Sequence, residues 1–331
     1  MFTDILMVGA SLALILLSCF IFTNGIEWFG KKLNMGQGVV GSIFAAVGTA
    51  LPETIIPIIA ILYYTDEKAN EIGIGAIAGA PFMLGTLAFF VTGLAVITYT
   101  MFGKRTLKMT ADQKVITRDL SYFLAIYGVA VLTTFIHSAV VFKDIIAVVL
   151  LLSYILYLKR SFSDDCAQCE DLDPLYASRI FKVKTSMTWI VVQLLLALAG
   201  IIYGAHLFVE YVEDLSTILG VAPLVLSIII TPIATELPEK LNSVIWTGRK
   251  KDTLALGNIT GAMVFQSCFP VVFGMLFTPW NLKGITLASA ILAIASASFN
   301  LVWIKVRKTV NPFALLFSGV LYVAFLLYVF L

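Results

Sequence analysis

Apolar runs about as long as a bilayer is thick follow one another along nearly the whole chain. A helix needs roughly 20 apolar residues to cross the hydrocarbon. Ten stretches approach or exceed that length: 4–24, 36–63, 72–99, 118–139, 143–159, 186–209, 217–246, 253–277, 284–304 and 312–331. Hydrophobic residues make up 60% of the chain and the mean hydropathy is +0.98, well above a soluble domain, where about half the residues are apolar and a quarter charged. The reading is an all-α polytopic membrane protein with ten transmembrane helices. Met1 to Phe22 lacks a basic leading region and runs straight on into further apolar segments, so the first helix is expected to stay rather than be cleaved. The net charge of +2 gives nucleic-acid binding no support. Four cysteines, two in apolar segments (Cys19, Cys268) and two in a polar loop (Cys166, Cys169), do not make a disulfide framework.

Charge in the loops sets the topology. Basic residues cluster at Lys31/Lys32, Lys104/Arg105/Lys108/Lys114, Lys159/Arg160 with Arg179/Lys182/Lys184, Arg249/Lys250/Lys251 and Lys305/Arg307/Lys308. The alternate loops carry Asp66/Glu67/Glu71 and Glu210/Glu213/Asp214. By the positive-inside rule the basic loops are cytoplasmic, which puts both termini outside and suggests the plasma membrane. A cytoplasmic loop over 161–184 separates a five-helix half at 1–160 from a second five-helix half at 185–331. An odd number of crossings per half makes the second half insert upside down, the inverted repeat common among secondary transporters.

The repeat is also visible in the residues. A shift of 186 positions lays Thr49, Leu51, Pro52 and Glu53 over Thr235, Leu237, Pro238 and Glu239, and a shift of 182 lays Gly75, Gly79 and Ala80 over Gly257, Gly261 and Ala262. The motifs lie within 36–99 and 217–277. Small residues recur in membrane helices for packing alone, which covers the glycines. It does not cover Glu53 and Glu239, because a carboxylate at bilayer depth must find a partner or a watery cavity.

Each of these glutamates follows a proline. Pro52 and Pro238 remove a helix hydrogen bond and press on the carbonyls of Gly48 and Ala234, so helices 2 and 7 are expected to be discontinuous. Unwound backbone at that depth is tolerated where it lines a cavity, and a bound cation satisfies the freed oxygens. Two carboxylates, the hydroxyls of Thr49 and Thr235 and freed carbonyls offer only oxygen, the donor set of hard ions such as Ca²⁺ rather than zinc or copper. Without the ion, two close carboxylates in a low dielectric hold a proton between them, so protons and metal compete. Glu236, three residues before Glu239, adds a carboxylate that is an extra ligand, a proton carrier or a hydrogen-bonding group just off the site. Asn258 and Gln266 in the next span are amide ligands or interhelical hydrogen bonds, and Asn242 is equally open. His206 and the acidic loop around Cys166 and Cys169 read more simply as an interhelical contact and a solvated charge run. No nucleophile elbow, zinc-protease signature or phosphate loop is present, so an enzyme is not expected, and no cofactor apart from the transported ions.

With these motifs the chain resembles the calcium/cation antiporter superfamily, of which the sodium/calcium exchangers are the familiar members. Their two inverted repeats carry a pattern like G-T-S-x-P-E followed by G-N-x-x-G-S-N-x-F-N. Here the first pattern is Gly48-Thr49-Ala50-Leu51-Pro52-Glu53 and Ala234-Thr235-Glu236-Leu237-Pro238-Glu239; the second runs from Gly75 to Leu84 and from Gly257 to Gln266. The resemblance implies exchange of a divalent cation, calcium first, against H⁺ or Na⁺ by alternating access, with Glu53 and Glu239 as principal ligands and Thr49 and Thr235 contributing oxygen. Several polar positions of the pattern are replaced, as Ala50, Ala76, Ala80, Pro81 and Leu84 in the first half and Ala262, Met263 and Gln266 in the second, while Glu236 is gained. Losing neutral oxygens weakens a sodium site more than a divalent one, which favours protons as the counter-ion. The rival expectation is a transport-impaired cation sensor or passive cation channel on the same fold. The choice among Ca²⁺, Mn²⁺ and Mg²⁺, and the oligomeric state, stay open at this level.

Overall fold

The computed structural model describes residues 2–33, 51–64, 67–136, 140–164 and 173–331, and every regular element among them is helical. In chain order these are α1 (Phe2–Lys32), α2 (Leu51–Tyr63), α3 (Glu67–Met101), α4 (Gln113–Leu132), α5 (Val140–Asp164), α6 (Tyr176–Phe181), α7 (Met187–Leu219), α8 (Pro223–Thr235), α9 (Leu237–Gly248), α10 (Asp252–Phe277), α11 (Gly284–Arg307) and α12 (Pro312–Phe330). Among the described residues seven segments are long and apolar enough to cross a membrane: Thr3–Ile26, Glu67–Met101, Gln113–Phe135, Met187–Leu219, Asp252–Phe277, Gly284–Arg307 and Pro312–Phe330. The other three expected spans are represented by the shorter helices α2 and α8 with α9, and by α5. The chain is an all-α polytopic membrane protein. Gly48, Thr49, Ala50, the first part of span 36–63, His137 and the loop holding Cys166 and Cys169 lie outside the described residues.

Where the boundaries differ from the hydropathy, charged residues extend helices past the apolar run. α7 continues to Leu219, so Glu210, Glu213 and Asp214 stand on a helix rather than in a loop. Glu213 reaches Lys68 at the start of α3 at 3.6 Å, and Gly220, at φ 65°, supplies the left-handed residue that ends the helix. α5 likewise runs from Val140 to Asp164, beyond the 17 apolar residues at 143–159. Part of the central loop is docked rather than loose. The amides of Tyr176 and Ala177 donate to Asn24 Oδ1 at 3.0 Å and Gln193 Oε1 at 2.8 Å, and Gln193 Nε2 bonds Asn24 at 3.0 Å and the Ile21 carbonyl at 2.8 Å. Helix α6 is thereby fixed against the first and sixth spans.

The helix pairings follow the inverted repeat. α1 lies along α7, the first spans of the two halves, and α4 packs on α11, the fourth spans. Three further cross-half contacts have counterparts among the described residues: α2 with α10 matches α9 with α3, α4 with α10 matches α11 with α3, and α5 with α10 matches α12 with α3. α3 and α10 therefore occupy the middle of the molecule, and both are buried over most of their length.

Two close approaches hold this centre together. A Cβ on Gly75 would sit 2.8 Å from the Leu224 carbonyl and one on Gly79 2.6 Å from the Ile228 carbonyl, so α3 and α8 meet backbone to backbone, as small residues allow in membranes. Ser227 Oγ donates to the Ile72 carbonyl at 2.6 Å and fixes their register. Further along α3 the turn Leu84–Ala88 is a π-helix. The Ser296 hydroxyl of α11 donates to the Gly85 carbonyl there and is bonded to Ser318 of α12 at 2.8 Å, so the polar groups exposed by the wider turn stay satisfied.

Arg105 departs from the sequence expectation. It counts among the basic loop residues, yet its side chain is 1% exposed and pairs with Asp252 at the start of α10. Its Nη1 donates to Asp252 Oδ1 and to the Thr247 carbonyl, both at 2.7 Å, and its Nη2 to Asp252 Oδ2 at 3.0 Å and the Lys108 carbonyl at 3.2 Å. The guanidinium thus pins the loop after α3 to the α9–α10 turn.

Two outcomes follow for the purified protein. Gly79→Ala forces a methyl against the Ile228 carbonyl and lowers stability by about 1–3 kcal/mol. Arg105→Ala strands the Asp252 charge and costs about 3–5 kcal/mol, most of it recovered when Asp252 is replaced by leucine in the same molecule. Thermal unfolding in detergent measures both.

Candidate cation site

The motif residues of the second half sit at a break in the seventh span. α8 ends at Thr235, α9 begins at Leu237, and Glu236 between them has φ −90° and ψ 9°. Pro238 is the reason: it has no N–H for the Ala234 carbonyl and is tolerated in the first turn of a new helix. Glu236 and Glu239 are therefore not one turn of a continuous helix, as their spacing suggests; one stands at the break and the other in the first turn of α9. Glu53 occupies the matching place in the first half, in the first turn of α2. Glu239 faces the positive end of the α9 dipole, which offsets part of the cost of burying it.

Glu53, Glu236 and Glu239 are all buried, at 2%, 0% and 2% exposure, and Glu53 is within electrostatic reach of the other two. Neither carboxylate oxygen of Glu53 has a hydrogen-bond donor among the described residues. The Thr235 side chain lies beside Glu53, but its hydroxyl donates to the Thr231 carbonyl at 2.9 Å, which leaves the oxygen lone pairs for another partner. Ala234 lies in the last turn of α8. Asn258 of α10 donates to the Glu239 carbonyl at 3.2 Å and so ties α10 to α9. Gln266, two turns further along α10, is 1% exposed and its Oε1 lacks a donor. His206 stacks edge-on against Tyr63 with ring centroids 4.5 Å apart, the interhelical contact expected of it.

Among the described residues no three carboxylate, imidazole or thiol groups converge at metal-binding distance. Glu236 is turned aside: its Oε2 accepts from Lys240 Nζ at 3.1 Å, and the same ammonium donates to the Pro232 carbonyl at 2.9 Å. Lys240 is 7% exposed and escapes a sequence reading that looks for ligands. Its signal is the Glu-to-Lys spacing of i, i+4 from Glu236 at the break into the first turn of α9. Asp119 escapes in the same way. It is buried on α4, where it accepts from Tyr157 of α5 at 3.0 Å and Thr260 of α10 at 2.8 Å, with Arg118 Nε at 3.1 Å. Cys19 of α1 is also within electrostatic reach of Glu53 and Glu239.

The break in the seventh span, with Glu239 just after it, is observed; the matching break expected before Glu53 lies outside the described residues. The model of the sodium/calcium exchanger protein family matches residues 3–162 and 189–331. The chain belongs to that family. Its members are transporters, not enzymes. Among relatives, an uncharacterized membrane protein of Methanocaldococcus jannaschii is 25% identical over 276 residues, which is 83% of this chain and 82% of that protein. Among solved structures, the H⁺/Ca²⁺ exchanger CAX superposes with a TM-score of 0.75 at 16% identity, over 98% of this chain and 82% of that one. The sodium-calcium exchanger NCX_Mj superposes with a TM-score of 0.60 at 21% identity, over 98% and 99%. At these identities the two structures share the fold.

Glu53→Gln removes a buried charge that no donor compensates. The variant is expected to unfold no earlier than the wild type in divalent-free buffer. Calcium at about 100 times its dissociation constant is expected to stabilise the wild type by about 2.7 kcal/mol and to leave the variant unchanged. Thermal shift with and without calcium reads both effects.

Proposed function

We propose that the chain is a secondary antiporter that moves a divalent cation, calcium first, across the membrane in exchange for protons. The observation that carries this reading is Glu53, a carboxylate buried in the membrane interior whose two oxygens have no hydrogen-bond donor among the described residues, next to Glu239 at the matching position of the other half. An uncompensated buried carboxylate is costly, and a hard divalent ion with an oxygen preference offsets that cost. Glu53 and Glu239 would be its principal ligands. Thr235 and the carbonyls of Ala234 and Gly48 would add neutral oxygen, with Thr49 as the first-half equivalent of Thr235. Asn258, bonded to the Glu239 carbonyl, would position that residue, and Gln266 would serve as an accessory amide.

The similar solved structures are those of an H⁺/Ca²⁺ exchanger and a sodium-calcium exchanger. The donor set favours the proton. A sodium ion needs several neutral oxygens, and the positions that would provide them include Ala80, Ala262, Met263 and Leu84. With the basic loops in the cytoplasm, both termini face outside and the exchanger sits in the plasma membrane. The break at Glu236 gives α8 and α9 the freedom to open the site to one side at a time.

Purified protein in liposomes tests the proposal. Calcium uptake is expected to follow an imposed pH gradient, to saturate, and to vanish in Glu53→Gln and Glu239→Gln. Uptake driven only by a sodium gradient would replace the proton by sodium. Flux that follows voltage without a counter-ion would make the protein a channel, and binding without flux a sensor.

A further inference from the structure

Lys240 stands out as a positive charge inside a site that has to hold cations. Its ammonium lies between a carboxylate oxygen of Glu236 at 3.1 Å and the Pro232 carbonyl at 2.9 Å. These are the kinds of oxygen that would hold a small cation at a helix break. The second oxygen of Glu236 has no donor and neither has either oxygen of Glu53, so the ammonium serves one edge of the carboxylate group and leaves the rest open. In the first half the positions equivalent to Glu236 and Lys240 are Ala50 and Thr54. The carboxylate and the ammonium are therefore both peculiar to the second half.

From this geometry we propose that Lys240 determines the ion stoichiometry of the exchanger: its ammonium is a tethered monovalent cation that permanently fills one cation position beside Glu236. This inference rests on the reading of the site as a divalent-cation exchanger. Three carboxylates and one ammonium leave a charge of two negatives, which one divalent ion neutralises with no other ion bound beside it. Without the tether Glu236 stands as an unopposed charge beside the divalent ion at Glu53 and Glu239, and a free monovalent ion takes the place of the ammonium. A buried, unneutralised charge is costly enough to recruit that ion from solution. Lys240 thus makes the chain indifferent to sodium and potassium on the side from which the divalent ion loads, and Glu236 is the partner that seats the tether rather than a third ligand.

Binding of labelled sodium and rubidium to the purified, calcium-saturated protein at alkaline pH, where protons are scarce, tests this directly. The wild type is expected to hold no monovalent ion. Lys240→Met is expected to gain one per chain, and the double variant Glu236→Gln with Lys240→Met to hold none. If Lys240→Met does not fold, Glu236→Gln alone examines the same balance, because it leaves the ammonium unopposed. Calcium affinity then falls about tenfold or more and recovers when Lys240→Met is added. A monovalent ion on the wild type, none on Lys240→Met, or a double variant no better than Glu236→Gln would overturn the inference. Absence of calcium binding to the wild type would instead remove the divalent reading beneath it.

Discussion

The cost of keeping charge inside a membrane shapes this protein. Three glutamates, one lysine, two aspartates and an arginine are each buried in or at the edge of the helical bundle, and each is handled differently. Arg105 and Asp252 satisfy one another completely and act as a clasp. Asp119 shares its oxygens among three neighbours on different elements. Lys240 is held by a carboxylate and a carbonyl. Glu53 alone among the described buried carboxylates has both side-chain oxygens without a donor, and the broken seventh span carries Glu236 and Glu239 within its electrostatic reach. The clasp and the interhelical charges are paired, and Glu53 is the carboxylate proposed to meet the transported ion.

Much of the architecture was legible in the sequence because a bilayer leaves few alternatives. Helix is the solution for long apolar runs, and the apolar runs of the sequence are helices throughout the described residues. The same logic identified the seventh span as broken, since Pro238 removes a hydrogen bond that nothing in lipid replaces. Boundaries were read less well. α7 runs ten residues past its apolar stretch because acidic side chains beyond the membrane do not stop a helix, whereas Gly220 does.

At the site, spacing revealed the carboxylates but not their company. A turn of helix places Glu236 near Glu239, and only the break shows that Glu236 turns to Lys240 instead. Arg105 reads as one more loop cation until its loop is seen folded onto Asp252. Asp119 lies near the edge of an apolar run beside Arg118 and looks like an interfacial charge, yet it joins α4, α5 and α10. These are tertiary facts, set by which helices come together, and periodicity carries no record of them. The glycines of α3 illustrate the converse. Packing was the plain reading of Gly75 and Gly79, and the backbone of α8 lies against both.

That seam has a further consequence. A carrier that stores energy in one ion gradient to move another is only as good as its insulation, because any continuous file of water past the site short-circuits the coupling. Between Gly75 and Leu224, and between Gly79 and Ile228, there is no room for a methyl group, and hence none for water. The two glycines close the α3–α8 side of the site as a gasket would, with backbone rather than side chains. A gasket of this kind has no rotamers, so it does not loosen when the helices around it move.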